Sequence, residues 1–153
     1  MLRPARAAGE EDLAAVRELF REYAGWVGNA LCFRSFEREL ADLPGCYAAP
    51  AGRLLLAFVE GHLAGCVALR PLSPAIAEMK RLYVRPAFRG AGLGRALVES
   101  IMEEARGIGY TRLRLDTLPS MPQAIAMYRQ LGFREIAPYG GNPPAALCFE
   151  RQL

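Results

Sequence analysis

Apolar residues recur at helical spacing early in the chain: Leu13, Val16, Leu19, Phe20 and Tyr23 follow one another at steps of three and four. That spacing predicts an amphipathic helix, and Gly9, Glu10, Glu11 and Asp12 place acids at its start, where the helix dipole favours them. Leu2 to Ala5 is expected as a short first strand. Ser35 is expected to cap a second, short helix ending before Pro44. Arg53 to Glu60 and His62 to Arg70 flank Gly61 and read as two strands joined by a tight turn. A third strand runs from about Ile76 to Val84 and stops at Pro86. Strand alternation would put Glu78, Lys80, Leu82 and Val84 on one face, and Met79, Arg81 and Tyr83 on the other.

Glycines 90, 92 and 94 then open a long helix, whose apolar stripe is Leu93, Leu97, Ile101, Ala105 and Ile108. Gly109 ends it. Leu113 and Leu115 alternate with arginines from Thr111 to Asp116, as expected of a strand with one buried face. Ser120-Met121-Pro122-Gln123 resembles a capping box, and the helix it starts stops at Gly132. Phe133 to Ala137 and Ala146 to Arg151 form a closing hairpin around Pro138 to Pro144. The whole predicts a single-domain α/β fold over residues 1–153, with a mixed, mostly antiparallel sheet of about six or seven strands flanked by four helices.

Composition narrows the function. The 153 residues are 52% hydrophobic and 23% charged, enough apolar material for a sizeable core, which argues against disorder. Nineteen basic residues are spread among sixteen acids for a net charge of +3, so no basic stripe marks a nucleic-acid partner. Arginine carries nearly all the basic charge and Lys80 is the sole lysine, a usage that fits GC-rich coding rather than function. Cys32, Cys46, Cys66 and Cys148 are far apart, and His62 alone cannot complete a zinc site, so no metal is expected. The first six residues lack the apolar core of a signal peptide. The longest apolar run, Leu54 to Val59, is too short to cross a bilayer. A soluble cytoplasmic protein is expected.

The most informative stretch runs from Glu78 through Arg85 to Arg95, where a strand feeds a glycine-rich loop and the loop opens a helix. Backbone N–H groups at a helix start have no partner within the helix, and the dipole makes that end positive. Glycines remove the side chains that would keep an anion away from those amides. Arg85, Arg89 and Arg95 add positive charge, and together these features imply a cradle for a diphosphate. A dinucleotide fingerprint needs a glycine where Arg95 stands, and a P-loop needs Gly-Lys-Ser/Thr, so both fail on spacing.

The spacing that fits is Arg-x-x-Gly-x-Gly, carried by Arg89, Gly92 and Gly94, which resembles the acyl-CoA signature of the GCN5-related N-acetyltransferase (GNAT) superfamily. The resemblance extends to Leu2-Arg3-Pro4-Ala5 with Asp12, to Lys80-Arg81-Leu82-Tyr83-Val84, and to Ala124 through Phe133, which includes Tyr128. It implies acetyl-CoA as co-substrate. Leu82 and Val84, with Tyr83 between them, would meet the pantetheine arm through their backbone. The amides of Arg89, Gly90, Ala91, Gly92, Leu93, Gly94 and Arg95 would hold the diphosphate. It further implies a V-shaped slot where the strand ending at Val84 splays from the next. Tyr128 would protonate the departing thiolate; by pattern alone it is a half-buried core tyrosine. Many members have Asn where this chain has Met121, which puts one pantetheine contact in question.

In some relatives a carboxylate near the position of Glu78 deprotonates the amine, directly or through water, but a solvent-exposed strand-end Glu has the same pattern. Tyr23, Trp26 and Phe33 would line an acceptor pocket or pack in the core. Asp116 and Thr117 would meet the acceptor or cap a turn. The expected reaction is direct transfer of an acetyl group to a primary amine in a ternary complex. The alternative is a non-catalytic acyl-CoA-binding sensor or partner module of the same fold. The acceptor stays open between small molecules, drugs included, and peptide amines; no membrane partner is expected, and a homodimer would be ordinary.

Overall fold

The computed structural model describes residues 4–28 and 36–153. Leu2 and Arg3 of the expected first strand, the proposed cap Ser35, Cys32 and the candidate pocket residue Phe33 lie outside the described residues. Along the chain come β1 (Ala5–Arg6), α1 (Gly9–Val27), α2 (Phe36–Ala41), β2 (Arg53–Val59), β3 (His62–Pro71) and β4 (Ile76–Val84). They are followed by α3 (Leu93–Ile108), β5 (Arg112–Thr117), α4 (Pro122–Gln130), β6 (Arg134–Ile136) and β7 (Leu147–Gln152).

The strands form one sheet in the order β1-β2-β3-β4-β5-β7-β6. Every neighbouring pair is antiparallel except β4 and β5, which run parallel. The parallel step requires a crossover, and α3 supplies it. Two layers of helix cover the sheet. On one face α1 presents Val16, Leu19, Phe20 and Tyr23, packed with Leu40 of α2 against Leu54, Leu56, Cys66 and Ala68. On the other face Leu97, Val98, Ile101 and Ala105 of α3 pack with Leu113, Leu115, Tyr128 and Phe149. Each such aliphatic side chain contributes about 1.5–3 kcal/mol on full burial.

The predicted elements recur with two corrections. The helix expected to open with a capping box starts at Pro122, with Met121 as its N-cap and no side-chain cap bond. Ser120 is instead absorbed by a turn in which the Met121 amide bonds the Leu118 carbonyl at 3.0 Å.

The second correction concerns the faces of β4. Cys66 of β3 stands opposite Tyr83, and Ala68 stands opposite Lys80, so Arg81 and Leu82 share the single partner position at Val67. This is a β-bulge, and Arg81 takes a φ of 59° to make it. Simple alternation therefore fails at Arg81. Ala77 and Met79 before the bulge, and Leu82 and Val84 after it, pack with the α3 core. Tyr83 joins the α1 core, and Arg81 reaches Glu39 of α2. Glu78 and Lys80 consequently lie on the α1 side, opposite Leu82 and Val84.

Candidate active site

Strands β4 and β5 pair only from Ile76 to Glu78 against Arg112 to Arg114. Past that point they part, although β4 continues to Val84 and β5 to Thr117. Among the described residues the backbone groups on that edge of β4 have no neighbouring strand, and the gap opens a cleft of about 340 Å³. Because Leu82 and Val84 face α3 while Tyr83 and Lys80 face α1, the cleft is lined from both faces of the sheet.

At one end lies the glycine loop. Gly90 and Gly92 have φ of 88° and 82°, and a Cβ built at either would meet nothing within 4 Å. The first backbone bond of α3 runs from the Ala96 amide to the Gly92 carbonyl at 3.1 Å. The N–H groups of Gly90, Ala91, Gly92, Leu93, Gly94 and Arg95 find no acceptor among the described residues. All six residues except Ala91 line the cleft, with Arg89 beside them. These open, unpaired amides and adjoining arginines fit an anionic diphosphate such as that of CoA.

Arg89 has a second position-defining contact. Its Nε donates to the Val84 carbonyl at 2.8 Å, and its guanidinium stacks 4.6 Å over Trp26 and 5.7 Å over Tyr83. Tyr23, Trp26 and Tyr83 form a wall of three rings with centroids 6.0 to 6.3 Å apart, and Trp26 is 51% exposed. Tyr23 and Trp26, for which a pocket or a core position was expected, thus line the cleft; Tyr23 is also part of the core.

On the α4 side Tyr128 packs edge-on to Phe133 and near Phe149. Its ring is buried, and its hydroxyl has no hydrogen-bond partner among the described residues and lines the cleft. Burial, then the nearby Tyr23 and Asp116, push its pKa above the ordinary tyrosine value, so it holds its proton at neutral pH. Met121 also lines the cleft, its sulfur taking the Thr117 hydroxyl at 3.7 Å.

Glu78 is placed differently. Only 1% exposed, it accepts from Arg70 Nε at 2.8 Å on one oxygen and from the Tyr139 hydroxyl on the other. It is not among the residues lining the cleft, and it is not the exposed strand-end Glu that alternation allowed. The carboxylate that does line the cleft is Asp116, held by the Asn142 amide at 2.9 Å and facing the Lys80 ammonium at 3.8 Å. Tyr139 and Asn142 come from the β6–β7 connection, which sequence reasoning treated only as a hairpin loop. Its Gly140-Gly141 pair, with φ of 91° and 74°, is the local signal that this segment is specifically shaped.

The family model for the acetyltransferase (GNAT) family matches residues 13–133, which include the glycine loop and Tyr128. An uncharacterized N-acetyltransferase of Schizosaccharomyces pombe is 40% identical over 143 residues, 92% of this chain and 88% of that protein. The IAA acetyltransferase of Azospirillum brasilense is 34% identical over 142 residues, 91% of each chain. In fold, the PaiA N-acetyltransferase of Thermoplasma acidophilum in complex with coenzyme A superposes with a TM-score of 0.79. That match covers 100% of this chain and 99% of the other at 19% identity. With an open glycine loop and a splayed β4–β5 cleft already in place, the match of the family model and the 40% identical relative show the family: the chain belongs to the acetyltransferase (GNAT) family.

Proposed function

We propose that this acetyltransferase uses acetyl-CoA and passes the acetyl group directly to a primary amine held in the same cleft. The observation that carries the reading is the opening between β4 and β5, lined by unpaired glycine-loop amides and by the Tyr128 hydroxyl. Bound acetyl-CoA supplies an activated acyl group as a thioester. The amides from Gly90 to Arg95 would hold its diphosphate, the expected Arg89 amide being spent on the Pro86 carbonyl at 3.3 Å, and the edge of β4 at Leu82, Tyr83 and Val84 would take the pantetheine arm. The bond from Arg89 Nε to the Val84 carbonyl lies on the edge that the arm would take. A bulge leaves its extra residue outside the ladder, so a backbone N–H near Leu82 is available to polarise the acyl carbonyl.

The amine forms the new C–N bond as the C–S bond breaks. Tyr128 gives its proton to the sulfur and recovers one from solvent. The amine's proton leaves on the α1 side of the sheet, to Asp116 or to water, whereas Glu78 is buried and bonded to Tyr139 and Arg70. Holding both reactants in one cleft removes the entropic cost of their encounter, the largest gain such a site makes without chemical help.

Thermal denaturation with acetyl-CoA, CoA and NAD tests the reading. At about a hundred times its Kd a ligand adds about 2.7 kcal/mol, which raises the melting temperature by roughly 5–10 °C. Stabilisation by both CoA forms but not NAD is expected, together with CoA release when a mixed amine panel is added. Binding without CoA release for any amine would favour the non-catalytic sensor, and no stabilisation would overturn the proposal.

A further inference from the structure

The charged lining of the cleft away from the glycine loop is small and balanced. Arg89 and Arg95 belong to the loop end, and Arg81 is engaged by Glu39 through two bonds of 3.1 and 2.9 Å. What remains among the described residues is one cation and one anion, Lys80 and Asp116, on the α1 side. They stand at the next same-face step after Glu78 and Arg114, the last pair joined across β4 and β5, and so at the fork where the strands part.

Their hydrogen bonding is incomplete. The Asn142 amide donates to Asp116 Oδ2, while among the described residues Oδ1 has only the ammonium at 3.8 Å. Charge-assisted bonds close to about 2.7–2.9 Å, so this contact is an ion pair without a hydrogen bond. Lys80 Nζ, a group with three donors, has no acceptor among the described residues. The two side chains are only 18% and 8% exposed, yet neither polar group is sealed from solvent, so it is through the cleft that a ligand or water reaches them. The arrangement is unusual within the chain itself: eighteen of its nineteen basic residues are arginines, and the single lysine stands here. An ammonium is a compact point charge, whereas a guanidinium at this site would reach Asp116 and close a fork-shaped bond with it.

We infer that the acceptor is a small zwitterion carrying its amine and a carboxylate close together, an amino acid or similar molecule, bound between Asp116 and Lys80. The inference rests on the acetyl-transfer reading above. The substrate amine meets Asp116 Oδ1 and the substrate carboxylate meets Lys80, which completes an alternating square of charges. Asn142 positions Asp116 so that Oδ1 faces the ligand. A simple amine would leave Lys80 unpaired beside its own positive charge, and a peptide N-terminus or lysine side chain brings no carboxylate adjacent to its amine. Tyr128 and Asp116 line the same cleft, so an amine anchored at Asp116 shares it with the acyl group.

The test compares amino acids with their decarboxylated amines, their carboxamides and short peptides as acceptors. Acetyl-CoA affinity is measured in parallel by calorimetry on wild type, Lys80→Met and Asp116→Asn. For the best acceptor, the free acid is expected to exceed its amine and carboxamide in kcat/KM by about 10- to 100-fold, the range for a charged hydrogen bond. Lys80→Met is expected to collapse that ratio toward one, mainly through KM, while acetyl-CoA affinity reports that the variant is folded. Asp116→Asn is expected to weaken acid and amine alike. Preference for decarboxylated amines or peptides, or an acid preference unchanged in Lys80→Met, would overturn the inference and leave acetyl transfer standing. Loss of acetyl-CoA binding by wild type would instead overturn the underlying reading.

Discussion

At the level of single residues, Tyr128 shows how one side chain is bound to both structure and chemistry. Its ring fills the core beside Phe133 and Phe149, and its hydroxyl is left without a partner where the cleft begins. Replacement by Phe keeps the ring and removes only the hydroxyl, the proposed proton donor. Tyr128→Phe is therefore expected to lower kcat by about 10²-fold or more, with acetyl-CoA affinity altered by less than about twofold. Steady-state kinetics paired with calorimetry read the two effects separately, and an unchanged kcat would remove Tyr128 from the mechanism. Its position was legible from its place five residues before Phe133. The surroundings of Glu78 were not, because its partners Arg70 and Tyr139 lie 8 residues before it and 61 after it in sequence.

At the level of elements, the β3–β4 pair governs the site. Gly65 stands opposite Val84, and a Cβ there would lie 2.6 Å from the Tyr83 carbonyl oxygen and 3.2 Å from Leu97 Cδ1. The absence of a side chain lets β3 approach the bulged end of β4 while α3 presses from one face. Gly65→Ala is expected to cost about 1–3 kcal/mol through overpacking, seen as a lower urea midpoint. Weaker acetyl-CoA binding should follow as the cleft edge shifts. An unaltered midpoint would mean the strand spacing yields freely at this point. The glycine loop and α3 were readable from sequence, since local spacing alone dictates a helix start with unpaired amides. The bulge was not readable, since an extra residue in one strand is defined only by the partner it faces.

For the molecule as a whole, burial of tyrosine sets an alkaline limit. Tyr23, Tyr47, Tyr128 and Tyr139 all have pKa raised, with burial the first cause in each. Their folded values thus lie above the unfolded value of about 10. Above that pH the unfolded chain releases phenolic protons that the folded chain retains, so stability is full below it and falls as pH rises. Urea midpoints measured from about pH 9 to 11 are expected to decline, with tyrosinate absorbance appearing together with unfolding. Tyr128→Phe should lessen the slope. A midpoint that is flat over this range would show the phenols to be accessible.

Much of this protein is written in local pattern. Element types and most of their limits, the two buried faces and the open glycine loop follow from periodicity and from glycine positions, which act over a few residues. The resemblance of Arg89, Gly92, Gly94 and Tyr128 to an acyl-CoA signature was equally local. Tertiary structure decided the rest. The placement of β7 between β5 and β6, the bulge that turns Lys80 and Leu82 to opposite faces, and the choice of Asp116 over Glu78 as the carboxylate in the cleft all depend on pairing between distant segments. Such pairing is settled by packing across the sheet and by hydrogen bonds from the β6–β7 connection, neither of which leaves a periodic trace in the chain.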